Sequence, residues 1–235
     1  MSTLEQRIAD NVARVRQTIA DAAARSGRRA EDVTLVAVSK YVGQAEIEAL
    51  LAAGCYDLGE SRPQDLWHKA EQFADRPVRW HMIGHLQRNK ARRTLPLVTL
   101  LHAGDSWRLL EAAAQHLQAG GQMLDVLIEV NVSGDATKTG LDSDEIEPLL
   151  PQIARLPSLR VCGLMAMARW GGTLDEARGD FVRLRNLRDR LAECCPPEIA
   201  LTHLSMGMSG DFEVAIEEGA TLVRVGSALF EGAEP

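Results

Sequence analysis

With 235 residues, 46% of them hydrophobic and 25% charged, the chain has the make-up of an ordinary globular protein able to bury one large core or two smaller ones. Its net charge of −7 argues against general affinity for nucleic acid, and no apolar run approaches the roughly 18 to 20 residues of a membrane span. The opening MSTLEQRIAD lacks the apolar stretch of a signal peptide, so a cytoplasmic location is expected.

Residues 3 to 25 place Leu4, Ile8, Val12, Val15 and Ile19 at spacings of three and four, one apolar helix face. Ser2 and Glu5 fit a capping box at its start. Short β-rich runs then alternate with amphipathic stretches. The predicted strands cover 33–40, 56–60, 79–84, 97–105, 124–132, 160–167, 199–207 and 221–230. Between them lie helical runs such as GQAEIEALLAAG, SWRLLEAAAQHLQAGG, SDEIEPLLPQIARL and LDEARGDFVRLRNLRDRLAECC, several closing on Gly or Pro.

Strands separated by helices imply parallel pairing with right-handed crossovers. Eight such units fit a single-domain (β/α)8 TIM-type barrel preceded by a helix, a fold of about 250 residues. The expected division is an opening helix within 1–30 and a barrel over 31–232, one domain across 1–235. A doubly wound open sheet is the alternative, disfavoured because no GxGxxG follows the first strand.

Cys55, Cys162, Cys194 and Cys195 show no CxxC spacing and read as reduced thiols, the first two in strand core. The basic stretch LQRNKARR, Leu86 to Arg93, reads as a solvated helix face. His81 and His85 stand four apart, but the intervening MIG carries no Glu, so a metal hydrolase is a remote reading. His203 reads as a core histidine, and Met206 and Met208 could be core filling.

A barrel places its chemistry where strands end. Lys40 closes the first strand and, by alternation, shares a face with Val36 and Val38. Such a lysine can snorkel to water. With partial desolvation it can instead supply a neutral amine able to attack an aldehyde. The stretch SMGMSG follows the seventh strand, and Gly226 and Ser227 follow the core of the eighth. Together they would bring hydroxyls and backbone N–H groups into a phosphate site. Arg224, on the face of Leu222 and Gly226, requires an acceptor. A pyridine nitrogen would serve, as would Glu60 or Glu129. A phosphate cradle, an aldehyde-reactive lysine and a partner for a ring nitrogen together describe a site for pyridoxal 5′-phosphate (PLP).

The segments AVSK, LGESR, WHMIGHLQRNK, VNVSGDATKTG, GLMAMA and LSMGMSGDFEVAIEEGATLVRVGSALF together resemble the pyridoxal phosphate homeostasis protein family, across nearly the whole chain. The resemblance implies a barrel like the N-terminal domain of alanine racemases with PLP held as an internal aldimine. It makes Lys40 the aldimine lysine, Ser205, Met206, Gly226 and Ser227 the phosphate cradle, and Arg224 the arginine facing the pyridine nitrogen. His85 and Asn131 fall in other family motifs near the mouth. One departure is local: where the family reads GEN, this chain has Gly59, Glu60 and Ser61, with Pro63 following. Ser61 could keep a contact only through a water or a shifted backbone.

An arginine at the ring nitrogen, permanently charged, favours a weak electron sink. Alanine racemases supply a catalytic tyrosine from a second domain. This chain ends at Pro235, and its tyrosines are Tyr41, which would point away from Lys40 if the first strand continues, and Tyr56. The expectation is therefore a monomeric PLP carrier in vitamin B6 homeostasis without robust catalysis, with PLP-dependent apoenzymes as candidate recipients. A PLP-dependent amino-acid racemase or related small amino-acid enzyme is the alternative.

Overall fold

The structure, a computed structural model, describes residues 2–134, 139–169 and 171–233. In chain order it runs α1 (Thr3–Arg25), β1 (Thr34–Val38), α2 (Gln44–Ala52), β2 (Asp57–Glu60), α3 (Pro63–Gln72), β3 (Arg79–Met82), α4 (Arg88–Thr94) and β4 (Leu100–Gly104). There follow α5 (Trp107–Ala119), β5 (Leu124–Glu129), α6 (Ser143–Ile153), β6 (Leu159–Met165), α7 (Leu174–Cys194), β7 (His203–Ser205), α8 (Phe212–Glu217) and β8 (Leu222–Val225). All eight strands pair in parallel, each with its neighbour in sequence, and β1 also pairs with β8 to close the barrel. Closure removes the open-sheet alternative.

The opening helix forms because its apolar stripe has somewhere to go. Ile8, Val12, Val15 and Ile19 are buried, and α1 lies against α2 and α8. There it fills the place of the helix that would follow β8, after which the described chain forms only a 3₁₀ turn, Ser227–Leu229. Side chains of α1 stitch the join. Asn11 Nδ2 donates to the carbonyls of Leu229 and Glu231 at 3.1 and 3.0 Å, and Arg16 donates to those of Ala53 and Gly54. The capping box is present, with Glu5 N–H donating to Ser2 Oγ at 3.2 Å and Ser2 N–H to Glu5 Oε2 at 2.8 Å.

Alternation along the strands separates two layers. Val36, Leu100, Ala103, Leu127, Cys162, Met165 and Leu222 form a small cluster of their own, the apolar filling of the barrel. The opposite faces, among them Ala37, Leu58, Leu101, Val126, Leu164 and Val223, join the larger core under the helices. Burial pushes the Cys162 thiol up to about 12 and raises that of Cys55.

Several strands are shorter than their apolar runs. The run at 97–105 begins late because Leu95–Leu97 is a 3₁₀ turn, and that at 221–230 ends at Val225 because Gly226 leaves extended geometry (φ −121°, ψ −83°). In the run at 199–207, Ile199 and Leu201 are buried without being strand. Hydrophobic burial alone therefore overestimates strand length, since a turn can bury the same side chains. No helix among the described residues is long and apolar enough to cross a membrane.

Candidate functional site

The site lies at the C-terminal mouth. β1 ends at Val38 and the chain turns at once, with Val42 N–H donating to Ser39 O at 3.2 Å. The alternation expected to carry Lys40 along the strand face therefore does not extend to it, and Lys40 is exposed rather than desolvated by the protein. The same turn changes the reading of Tyr41. Its ring does not point away: Lys40 Nζ lies 5.1 Å from its centroid and Arg62 Cζ lies 5.8 Å from the same centroid. At that range both cations sit over a π-face, an exposed arrangement worth about 0.5–1 kcal/mol each.

Arg224 is 4% exposed. Its Nη1 donates to Ser205 Oγ and its Nη2 to the Ala166 carbonyl at 3.1 Å. Neither acceptor carries a charge, and among the described residues no carboxylate pairs with the guanidinium. Glu60 is occupied elsewhere, and Glu129 accepts from Thr139 Oγ1 at 2.6 Å. Burial lowers Arg224 to about 10, opposed at longer range by Glu129 and Asp211. Burial likewise raises the carboxyls of Glu129 and Asp211.

The loops after β7 and β8 meet as the glycine-rich pattern predicts. Gly226 N–H and Ala228 N–H converge on Ser209 Oγ at 3.1 and 3.4 Å. Two backbone donors aimed at one oxygen are a donor set suited to an anion. The turn is possible because Gly207 has φ +93° and because a Cβ there would lie 2.6 Å from that of Ala215. Ser227 is exposed beside this pair. Ser205 and Met206 stand apart from it. The Ser205 hydroxyl is inside the barrel on Arg224, and Met206 is fully buried with its N–H on Leu222 O.

The other predicted residues line the rim. Gly84 accepts no side chain because the backbone oxygen of Ser61 would be 2.5 Å from its Cβ, so the loops bearing Ser61 and His85 lie in contact. His85 is exposed, and its Nδ1 is paired with Asp105, a buried carboxylate just past β4. Asn131 follows β5, its N–H on Leu141 O and its Oδ1 accepting from Ser133 at 3.1 Å. His81 does not join His85. It points into the barrel, and no group of three metal-ligating side chains occurs among the described residues. His203 is half-buried, its Nδ1 3.2 Å from Thr221 Oγ1.

Two buried polar clusters escaped the sequence reading. Inside the barrel, His102 Nδ1 lies 2.8 Å from Ser205 Oγ, His102 Nε2 lies 2.9 Å from His81 Nδ1, and His81 Nε2 lies 3.1 Å from Asp57 Oδ1. Burial, reinforced by His81 and Arg224, holds His102 well below the ordinary imidazole range. Outside the wall, Lys69 of α3 donates to Glu60 Oε1 and to Ser39 O, both at 2.6 Å, while Ser39 Oγ donates to Glu60 Oε1 at 2.8 Å. This cluster grips the residue just before Lys40. Ser209 lies within the SMGMSG stretch, and period-two alternation around His102 is the sequence signal for the inner chain.

Fold and mouth together define a class: a parallel barrel whose strand ends carry a lysine, a buried arginine and a converging N–H pair. The family model for the alanine racemase N-terminal domain matches residues 5–234. The chain is 39% identical over 223 residues to the pyridoxal phosphate homeostasis protein of Pseudomonas aeruginosa, covering 95% of this chain and 94% of that one. It is 38% identical over 221 residues to the same-named protein of Aquifex aeolicus, covering 94% and 96%. Among solved structures, PipY of Synechococcus elongatus with PLP bound matches with a TM-score of 0.84 at 33% identity, covering 95% of this chain and 99% of that one. The chain belongs to the alanine racemase N-terminal domain family and, within it, to the pyridoxal phosphate homeostasis proteins.

Proposed function

We propose that this protein binds PLP at the barrel mouth and serves intracellular PLP homeostasis as a monomeric, cytoplasmic carrier built as one barrel domain. The observation that carries the reading is Arg224, a cation 4% exposed whose hydrogen bonds among the described residues go only to neutral oxygens. A buried charge without a counter-charge costs several kcal/mol, and a ligand that brings an acceptor and negative charge to the mouth offsets that cost.

The residues fit PLP. Lys40 offers an accessible primary amine for a covalent bond to the aldehyde. Gly226 and Ala228 N–H, now shared by the Ser209 hydroxyl, would donate to the phosphate with Ser227 beside them. Arg224 would donate to the ring nitrogen and keep it unprotonated. Ser205 would act through Arg224, and Met206 by backing the loop from the core. His85, Asn131 and Ser61 would complete the rim. When bound, PLP supplies an electron sink; an arginine at the nitrogen weakens it, which supports holding and release over turnover. Delivery to apoenzymes follows from an exposed attachment lysine, which a recipient can reach.

The test is a PLP titration followed by visible absorbance on the unmodified chain, Lys40→Ala and Arg224→Ala. The expected outcome is a saturable band, lost in Lys40→Ala and retained with about tenfold weaker affinity in Arg224→Ala, the effect of one charged hydrogen bond. Absence of a band in the unmodified chain would overturn the reading. Steady amino-acid turnover dependent on Lys40 would favour the racemase alternative.

A further inference from the structure

The barrel axis holds a chain of side chains that leads from the mouth to the opposite rim: Arg224, Ser205, His102, His81, Asp57. Its links are Arg224 Nη1 to Ser205 Oγ, then 2.8, 2.9 and 3.1 Å, and all but the Asp57 end are sealed from solvent, His102 and Ser205 completely. At the far end Arg79 donates to both Asp57 oxygens, at 2.7 and 2.5 Å.

The two ends determine the direction of every proton between them. A guanidinium only donates and a carboxylate only accepts. Ser205 Oγ therefore accepts from Arg224, and its own proton is free for His102 Nδ1. A neutral His102 must then carry its proton on Nε2 and donate to His81 Nδ1. His81 in turn carries its proton on Nε2 and donates to Asp57. Every donor then meets an acceptor, and no charge is added beside Arg224. The reverse arrangement requires both His81 nitrogens to be protonated, which adds a cation to the axis. It also leaves the Ser205 hydroxyl accepting two bonds with no partner in the chain for its proton.

We propose that His102 and His81 are positioning residues, forming a one-way hydrogen-bond chain that fixes Ser205 as an acceptor and thereby aims the Arg224 guanidinium at the cofactor ring. A buried histidine pair with no such task would be replaceable by apolar residues at little cost to ligand binding, since satisfied polar networks and packed apolar ones are close in stability. The chain instead ends on Arg224, a buried cation at the mouth, so its orientation would reach a ligand there.

The inference rests on the PLP reading for its binding arm alone. Two measurements test it on the full chain. Without ligand, ¹⁵N NMR of the imidazoles at neutral pH is expected to show His81 and His102 both neutral with the proton on Nε2. An imidazolium, or an Nδ1–H tautomer at either position, overturns the one-way chain. With PLP, His102→Leu is expected to raise Kd about tenfold, the loss of one net hydrogen bond. His102→Gln, whose amide can accept from Ser205 and donate to His81, is expected to stay within about threefold on the same scale. Unchanged affinity in His102→Leu, or equal weakening in both variants, overturns a positioning role. If the unmodified chain shows no PLP band, the cofactor reading has failed, and the tautomers alone decide the chain.

Discussion

The two rims of the barrel are built from similar residue types and treat them differently. At the N-terminal rim, Arg79 and Asp57 pair through two bonds, Arg160 and Asp125 do the same, and His203 lies against Thr221. At the C-terminal rim, Lys40 is exposed beside Tyr41, Arg224 is buried without a counter-charge among the described residues, and two backbone N–H groups share one hydroxyl. The N-terminal rim pairs its charges, whereas the C-terminal rim leaves Arg224 without a counter-charge among the described residues, and it is there that a ligand is proposed. The same division between a stability face and an activity face holds for barrels of this class generally.

The sharpest way to break the comparison is to remove the counter-charge from a carboxylate that the fold pairs. Glu60 is fully buried, its Oε1 held by Lys69 and Ser39 and its Oε2 without a hydrogen-bond partner among the described residues. Lys69→Met strands that carboxylate and is expected to cost about 3–5 kcal/mol in denaturant unfolding. It also releases the Ser39 carbonyl, one residue before Lys40. A loss below about 1 kcal/mol, the scale of an exposed pair, would show that the cluster does not hold this end of β1.

Asp57 gives a smaller, pH-dependent effect. Burial alone would raise its carboxyl, but hydrogen bonds from His81 and Arg79 outweigh it and bring it from 3.8 down to about 2. With the folded value below the unfolded one, the stabilisation is complete above about pH 5 and is lost as pH falls from about 4 through 2. Unfolding followed between pH 5 and 2.5 is expected to steepen over that window, and Asp57→Asn is expected to flatten it. The smallest effect belongs to Arg160→Ala. Its pair with Asp125 is open to water, with 64% of the arginine side chain exposed. The expected change in stability is under about 1 kcal/mol, and a larger one would mean that the N-terminal rim acts as a coupled network.

Much of this architecture was legible in the sequence because a parallel barrel repeats one simple signal, a short β-rich run followed by an amphipathic helix. Eight runs were expected and eight strands form. The inward face of Arg224, shared with Leu222, followed from counting along its strand, whereas Lys40 lies in the turn beyond the strand it was expected to close. Failures arose where counting stops. Tyr41 would point away from Lys40 only if the first strand continued through it, and the chain instead turns after Val38. His102 is a single polar residue in an apolar strand, and its partners Ser205 and His81 come from strands 103 and 21 residues distant in sequence, so no local pattern connects them. Lys69 was hidden for a related reason: only the packing of α3 on the barrel brings it to Glu60.

The central claim is that the C-terminal mouth holds PLP through Lys40. The chain has four lysines, at 40, 69, 90 and 138, so the attachment point can be read directly by reducing the PLP-loaded protein with borohydride and mapping the modified peptides by mass. A single adduct on the peptide containing Lys40 is the predicted result. An adduct confined to another lysine, or spread evenly over several, would contradict the claim.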